Sequence, residues 1–330
     1  MAAYAVKSDE SRTPADVLDS PEDQLPFSSS SRWAQDLHLL AHFISHTSKT
    51  LSFRQDMLCM WQNQVPKDFV HYPFLAHGVL AIAALHLAAL DKSRERDYSL
   101  SYHLHMSKGI RAFREALAKR DGQFDAPCFA MAHLLAADSL ASISDNAPQD
   151  CDGSTSPLSL ETILRLIVIV RGFQNITLQV EGSGDGDGDP TKLPYGVDPR
   201  FPEEAPPSLP REVISEFAAL RDRIIQEEDS YESSGSLEAL SQLEVLERML
   251  AHRKPKTTTA NINRSNDVDP GLFAKWLVTV PEQYVTNLHK RHPLALQVLA
   301  GFAKLARSLG HLWYFQNWSS NALKAIQDTT

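Results

Sequence analysis

The side chains best suited to chemistry in this 330-residue chain are its thirteen histidines. His38, His42 and His46 recur every four residues, which aligns their rings on one face of a helix. That spacing could hold a transition metal, but a metal needs further ligands, and no cysteine or carboxylate cluster accompanies the three. They read as packed or solvated imidazoles, and no metal site is assigned. His77 and His133 lie inside apolar runs. An imidazole there is either a satisfied core group or an acid–base group, so these two are the candidate catalytic residues if the chain is an enzyme. Arg171 also interrupts an apolar run. Its guanidinium ends either in a buried ion pair or on a polar group of a ligand.

Other chemistries are poorly represented. No nucleophile elbow, phosphate loop, dinucleotide fingerprint or paired metal motif occurs, which argues against hydrolase, kinase and dehydrogenase and calls for no cofactor. The run Gly182 to Asp189 alternates glycine and aspartate as a calcium loop does. Pro190 and Gly196 then stand where such a loop needs its glycine and its bidentate glutamate. Cys59, Cys128 and Cys151 are too few and too scattered for a disulfide framework or a cysteine-rich zinc site. The net charge of −9 disfavours a chain-wide nucleic-acid surface. Met1 to Ser30 is polar and lacks the apolar core of a secretion signal, so the expected location is cytoplasmic or nuclear. Without such a signal the glycosylation pattern Asn175-Ile176-Thr177 carries no meaning.

These side chains must be positioned by helices. Pro73 to Asp91 is apolar on every face a helix presents, and it is shorter than the roughly 20 residues of a membrane span. It reads as the central core helix rather than as a span, with Gly78 and its alanines allowing close approach. Ala126 to Ile143 is a second all-apolar helix, with Asp125 as its cap. Trp33–Thr50, Met57–Trp61 (ended by Gln64-Val65-Pro66), Asp97–Lys119, Ile214–Glu228, Ser236–His252, Pro270–Val280, Glu282–Lys290 and Pro293–Gly310 give further helices. Lys108, Arg111 and Arg114 form a solvated face. Ile163 to Val170 is β-branched enough for a strand, but no second strand exists to pair with it, so it too is assigned to helix. Residues 1–32 read as a disordered tail and 33–330 as one all-α domain with a flexible loop over 181–210.

The segments Trp61-Gln62, Val65-Pro66, His71 to Ala88, Phe113-Arg114, Leu164 to Gly172, Val280 to Tyr284, His292 to Leu296 and the closing Trp313 and Trp318 occur in order. Together they resemble the C-terminal regulatory domain of fungal zinc-cluster transcription factors of the sterol uptake control type. The resemblance implies an all-helical domain that binds an apolar small molecule and is often a homodimer. The six-cysteine cluster of that family has no counterpart here, so direct nucleic-acid binding is not expected.

Two functions follow. One is a ligand-responsive regulator of fungal (secondary) metabolism without its own DNA-binding part; a gene model lacking an upstream exon would give the same sequence. The other is the same fold redeployed as a biosynthetic enzyme. Orienting a terpenoid or polyketide alone can lower a barrier by roughly 7–11 kcal/mol, enough for a hetero-Diels-Alder-type cycloaddition or an isomerisation. Either needs an apolar cavity between the central helix, the Ala126–Ile143 helix and the C-terminal aromatic segment. Its expected lining is Phe74, His77, Ala81, Met131, His133, Trp313, Phe315, Gln316 and Trp318.

Overall fold

The computed structural model describes residues 29–119, 126–144, 158–182, 211–226, 231–252 and 269–329. Every regular element among them is helical. The expected tail up to Ser28, nearly all of the 181–210 loop and the Asp125 cap lie outside the described residues. Ser29 to Arg32, assigned above to the tail, are already helix.

The first helix, α1 (Ser29–His42), runs into a π turn (Phe43–Thr47) and a short α2 (Ser48–Leu51). The next helix, α3 (Gln55–Cys59), continues through a second π turn (Met60–Gln64) and a 3₁₀ turn (Val65–Asp68). Val65-Pro66 therefore does not end it. Proline lacks only an amide hydrogen that the first turn of a helix does not use, so Pro66 opens the 3₁₀ turn.

The core helix α4 (Pro73–Leu90) has Pro73 in its first turn and ends at Asp91, whose side chain caps the short turn that follows by accepting from Ser93 N. It is long and apolar enough to cross a membrane by length and composition, yet 67% of it is buried inside this fold. It packs against α5 (Glu95–Lys119), with Gly109 facing the backbone of Phe74 and Gly78. On another side it meets α6 (Ala126–Ala141), where Met131 Sδ and Leu134 crowd the missing Cβ of Gly78. Leu39 and Phe43 from α1 and its π turn are fully buried in the same core. Helix α5 is also tied to α6, because Tyr102 Oη donates to Asp138 Oδ1 at 2.6 Å.

The next element, α7 (Leu160–Gly182), settles the strand-or-helix ambiguity. Leu160, Ile163, Leu164, Ile167 and Val170 are buried while Glu161, Arg165 and Val168 are exposed, which is the spacing of one helical face. The second layer holds α8 (Arg211–Gln226), α9 (Tyr231–His252), α10 (Gly271–Thr279), α11 (Glu282–His289) and α12 (Pro293–Leu305). A 3₁₀ turn (Ala306–Leu309), the turn Trp313–Phe315 and α13 (Trp318–Gln327) close it. Gly235 lets α9 meet the start of α11, since a Cβ there would lie 2.7 Å from Tyr284 N. Arg171 resolves as an ion pair: it reaches Glu282 at 2.7 Å and the Val280 carbonyl, on a site open to solvent.

Two outcomes follow. Gly235→Ala should lower stability by about 1–3 kcal/mol in urea unfolding, because a backbone amide cannot move aside. Gly78→Ala should cost less, because the flexible Met131 thioether can swing away. Equal losses would show that α4 and α6 cannot give way. The second outcome concerns Asp138. Burial raises its carboxyl from 3.8 to about 6, against the opposing Tyr102 hydrogen bond and nearby His103. The folded state thus holds the proton more tightly than the unfolded chain. This contribution is complete below about pH 4 and is lost as pH rises through about 6, on the order of 3 kcal/mol in all. Asp138→Asn should be more stable than the parent at pH 7.5 and lose that advantage at pH 4.5. A constant difference across that range would refute the assignment.

Candidate functional site

On α4 the two histidines are nine residues apart. At about 100° per residue that separation puts them on opposite sides of the helix. His77 faces α5, where its Nδ1 lies 3.0 Å from Nδ1 of His105, and His105 Nε2 lies 3.2 Å from Asp36 Oδ1 on α1. The carboxylate can only accept, so His105 carries its proton on Nε2 and accepts from His77 through Nδ1. Burial, then His105 and Lys108, lower the His77 pKa, while Asp36 opposes them.

His86 faces the opposite way and occupies the junction of the first layer with the C-terminal segment. Its Nδ1 lies 3.2 Å from His42 Nε2 and 2.9 Å from Thr47 Oγ1. Its ring stacks on Trp313 at 5.1 Å and 18°. His46 in turn stacks on His42 at 5.0 Å. Burial, reinforced by neighbouring imidazoles, holds His42 down to about 4 and His86 down to about 3, so both are neutral near pH 7. Among the described residues no three of His, Cys, Asp and Glu come together as a metal site would require.

The Trp313–Phe315 turn is fixed by Thr50, which accepts from Trp313 Nε1 through its hydroxyl at 3.1 Å and from Tyr314 Oη through its carbonyl at 2.7 Å. Beside it, Asp269 Oδ2 accepts from Ser52 Oγ at 2.7 Å and Phe53 N at 2.8 Å, and Oδ1 accepts from Gly271 N at 2.8 Å. His133 is near this clasp. Its Nδ1 lies 3.0 Å from the Phe129 carbonyl of its own helix and its ring packs on Phe129 at 4.3 Å. A carbonyl cannot donate, so Nδ1 carries the hydrogen and Nε2 presents a lone pair. Burial is the main cause that lowers the His133 pKa.

The nine expected lining residues are spread through the core. Phe74 packs on Phe113 at 5.2 Å beside the His77 side of α4. Ala81 and Met131 are fully buried, the latter against Gly78. Trp313 meets His86 rather than His77. Phe315 and Trp318, 5.8 Å apart, join Phe273 and Phe302 in the second layer, while Gln316 is exposed. The expected convergence of α4, α6 and the aromatic turn is present, since each touches the other two. His86, Thr47, Thr50 and Asp269 were not singled out from sequence. The nine-residue spacing from His77 was the available signal for His86; for Asp269 it was the place ahead of Pro270 and Gly271 at a helix start, while its partners Ser52 and Phe53 lie more than two hundred residues away. Among the described residues two buried indole N–H groups, Trp61 Nε1 and Trp318 Nε1, have no acceptor.

Residues 38–171, about two-fifths of the chain, match the fungal specific transcription factor domain. Over 126 residues the chain is 30% identical to sterol uptake control protein 2 of Candida albicans, an alignment covering 38% of this chain and 16% of that protein. The chain therefore aligns with less than a fifth of that relative's length. The matched residues run from α1 to α7 and include His42, His77, His86 and His133, whereas Asp269 and the C-terminal aromatics lie beyond them. On its sequence, the chain resembles the regulatory domain of fungal transcription factors of the sterol uptake control type, with the transcription factor domain matched over residues 38–171.

Proposed function

We propose that this protein is a transcription-regulator-type module that takes up an apolar small molecule, of sterol or terpenoid size, in its helical core. The observation that carries the reading is the likeness of residues 38–171 to the fungal specific transcription factor domain and to a protein named for control of sterol uptake. Three features of the core support it. The two all-apolar helices α4 and α6 are rich in alanine, and small side chains leave room between helices. A dense aromatic group from α10, α12 and the C-terminal turn offers flat apolar walls. Few polar groups interrupt these surfaces, as ligand sites of this kind require. The module acts in the nucleus or cytoplasm through a partner protein or as a homodimer and does not itself read DNA. The cycloaddition and isomerisation readings gain nothing from the site, because His77 and His133 are engaged with different partners.

Cholesterol in a cyclodextrin carrier tests this directly. A ligand that binds only the folded state adds RT ln(1 + [L]/Kd), about 2.7 kcal/mol at a hundredfold excess over Kd. Melting should move up by several degrees relative to carrier alone, and the sterol should be recovered unchanged. Unaltered melting across cholesterol, ergosterol and a terpenoid such as farnesol would overturn the reading. In a gel-shift series from 50 to 200 mM salt the purified protein should retain no sequence-selective duplex, given its charge of −9. A selective shift by the protein alone would contradict the partner-dependent part.

A further inference from the structure

The chain has five tryptophans, and their indole N–H groups fall into three kinds. Trp33 is exposed to solvent. Trp276 donates to the Ala239 carbonyl at 3.2 Å, and Trp313 donates to Thr50 Oγ1. Trp61 and Trp318 are buried donors without an acceptor among the described residues, and they are 0% and 1% exposed. Leaving a buried donor unpaired is costly, and native interiors rarely do so without a water, an ion or a ligand to complete it.

The surroundings distinguish the two. Trp61 meets the Phe43 ring edge-on at 5.9 Å. Trp318 meets Phe302 edge-on at 6.0 Å and Phe315 at 5.8 Å. Phe302 in turn stacks on Trp276 at 4.3 Å, and Phe273 reaches both Phe302 and Phe315. An aromatic face is a far weaker acceptor than an oxygen, so this ring group leaves the donor essentially unsatisfied. The result is one buried hydrogen-bond donor on a ring that belongs to an apolar aromatic group. Such a wall holds a flat hydrocarbon skeleton and such a donor fixes which end carries its oxygen. A site built to pair a polar group discriminates strongly against the analogue that lacks it.

We infer that the indole N–H of Trp318 is the polar anchor of the apolar ligand, selecting a polycyclic skeleton that bears a hydroxyl or carbonyl oxygen over the bare hydrocarbon. This rests on the ligand-uptake reading above and adds the recognition element to it. The donor lies outside the residues that match the fungal transcription factor domain. The oxygen preference is therefore assigned to the C-terminal part of the chain.

The experiment uses the full chain labelled with ¹⁵N at its tryptophan indoles, with cholesterol and 5α-cholestane as probes; the second shares the ring skeleton and has no oxygen. Cholesterol should move the Trp318 indole proton downfield and bind about tenfold more tightly than cholestane, the ratio one net hydrogen bond gives. Trp318→Phe keeps a ring and removes the donor, so the two probes should then bind within about twofold of each other. Stabilisation by cholesterol with an unmoved Trp318 signal, or with a shift confined to Trp61, overturns the anchor while leaving the ligand-uptake reading intact. A Trp318 indole that shows a bound-water cross-peak and keeps it when cholesterol is added likewise overturns it. Absence of binding by both probes removes the anchor, and the ligand-uptake reading is then decided by the melting series with ergosterol and farnesol. Should Trp318→Phe fail to fold, the indole shift in the unmodified chain decides the matter alone.

Discussion

A helix that is apolar on every face can exist in water only if it is covered from every side. Helix α4 imposes that constraint, and the first layer is its solution. Helix α5 takes one flank through Gly109, α6 another through Met131, α1 and its π turn a third through Phe43, and the Trp313–Phe315 turn closes the end near His86. The hydrophobic effect supplies the drive but no direction, so the arrangement is fixed by polar ties at the edges of the apolar contact. His77 with His105 and Asp36 registers α1 and α4 on α5. His42 and Thr47 with His86 register the π turn on α4.

The second layer follows different logic. Its core is aromatic, and α10, α11 and α12 are short and separated at Pro281 and Pro293, so it depends on side-chain reach. Trp276 and Tyr284 thread hydrogen bonds to the carbonyls of Ala239 and Ala295 through the packed rings. Helix α7 spans the layers by packing on both α6 and α10, and the Asp269 carboxylate and the Thr50 carbonyl and hydroxyl bring α2 and the loop after it against the start of α10 and the C-terminal turn. A buried carboxylate is tolerable there because three donors converge on it in place of water.

The architecture was legible because its dominant signals are local. All-round apolarity marked α4 and α6, and the spacing of Ile163, Leu164, Ile167 and Val170 decides for helix once their burial is seen. The two π turns were invisible, since they arise where helices must re-aim residues such as Thr47 and Trp61 without any breaker in the sequence. The site was less legible for a geometric reason. Choosing histidines by their apolar surroundings favours His77 and His86 equally, and only the helical turn between them separates the α5 flank from the Trp313 junction. Asp269 was legible only in part: its bond to Gly271 N belongs to the helix start beside Pro270, whereas its bonds to Ser52 and Phe53 join segments far apart in sequence.

The clasp at Thr50 sets the order in which this protein can be made. Its hydroxyl and carbonyl wait for side chains 263 and 264 positions further along the chain. The α4–α5–α6 unit can collapse on local contacts while still being synthesised, and local contacts form early. Its end near His86 stays uncovered until the ribosome has delivered Trp313 and Tyr314. During that interval the nascent chain carries an apolar face that only its own late residues, or a chaperone, can cover.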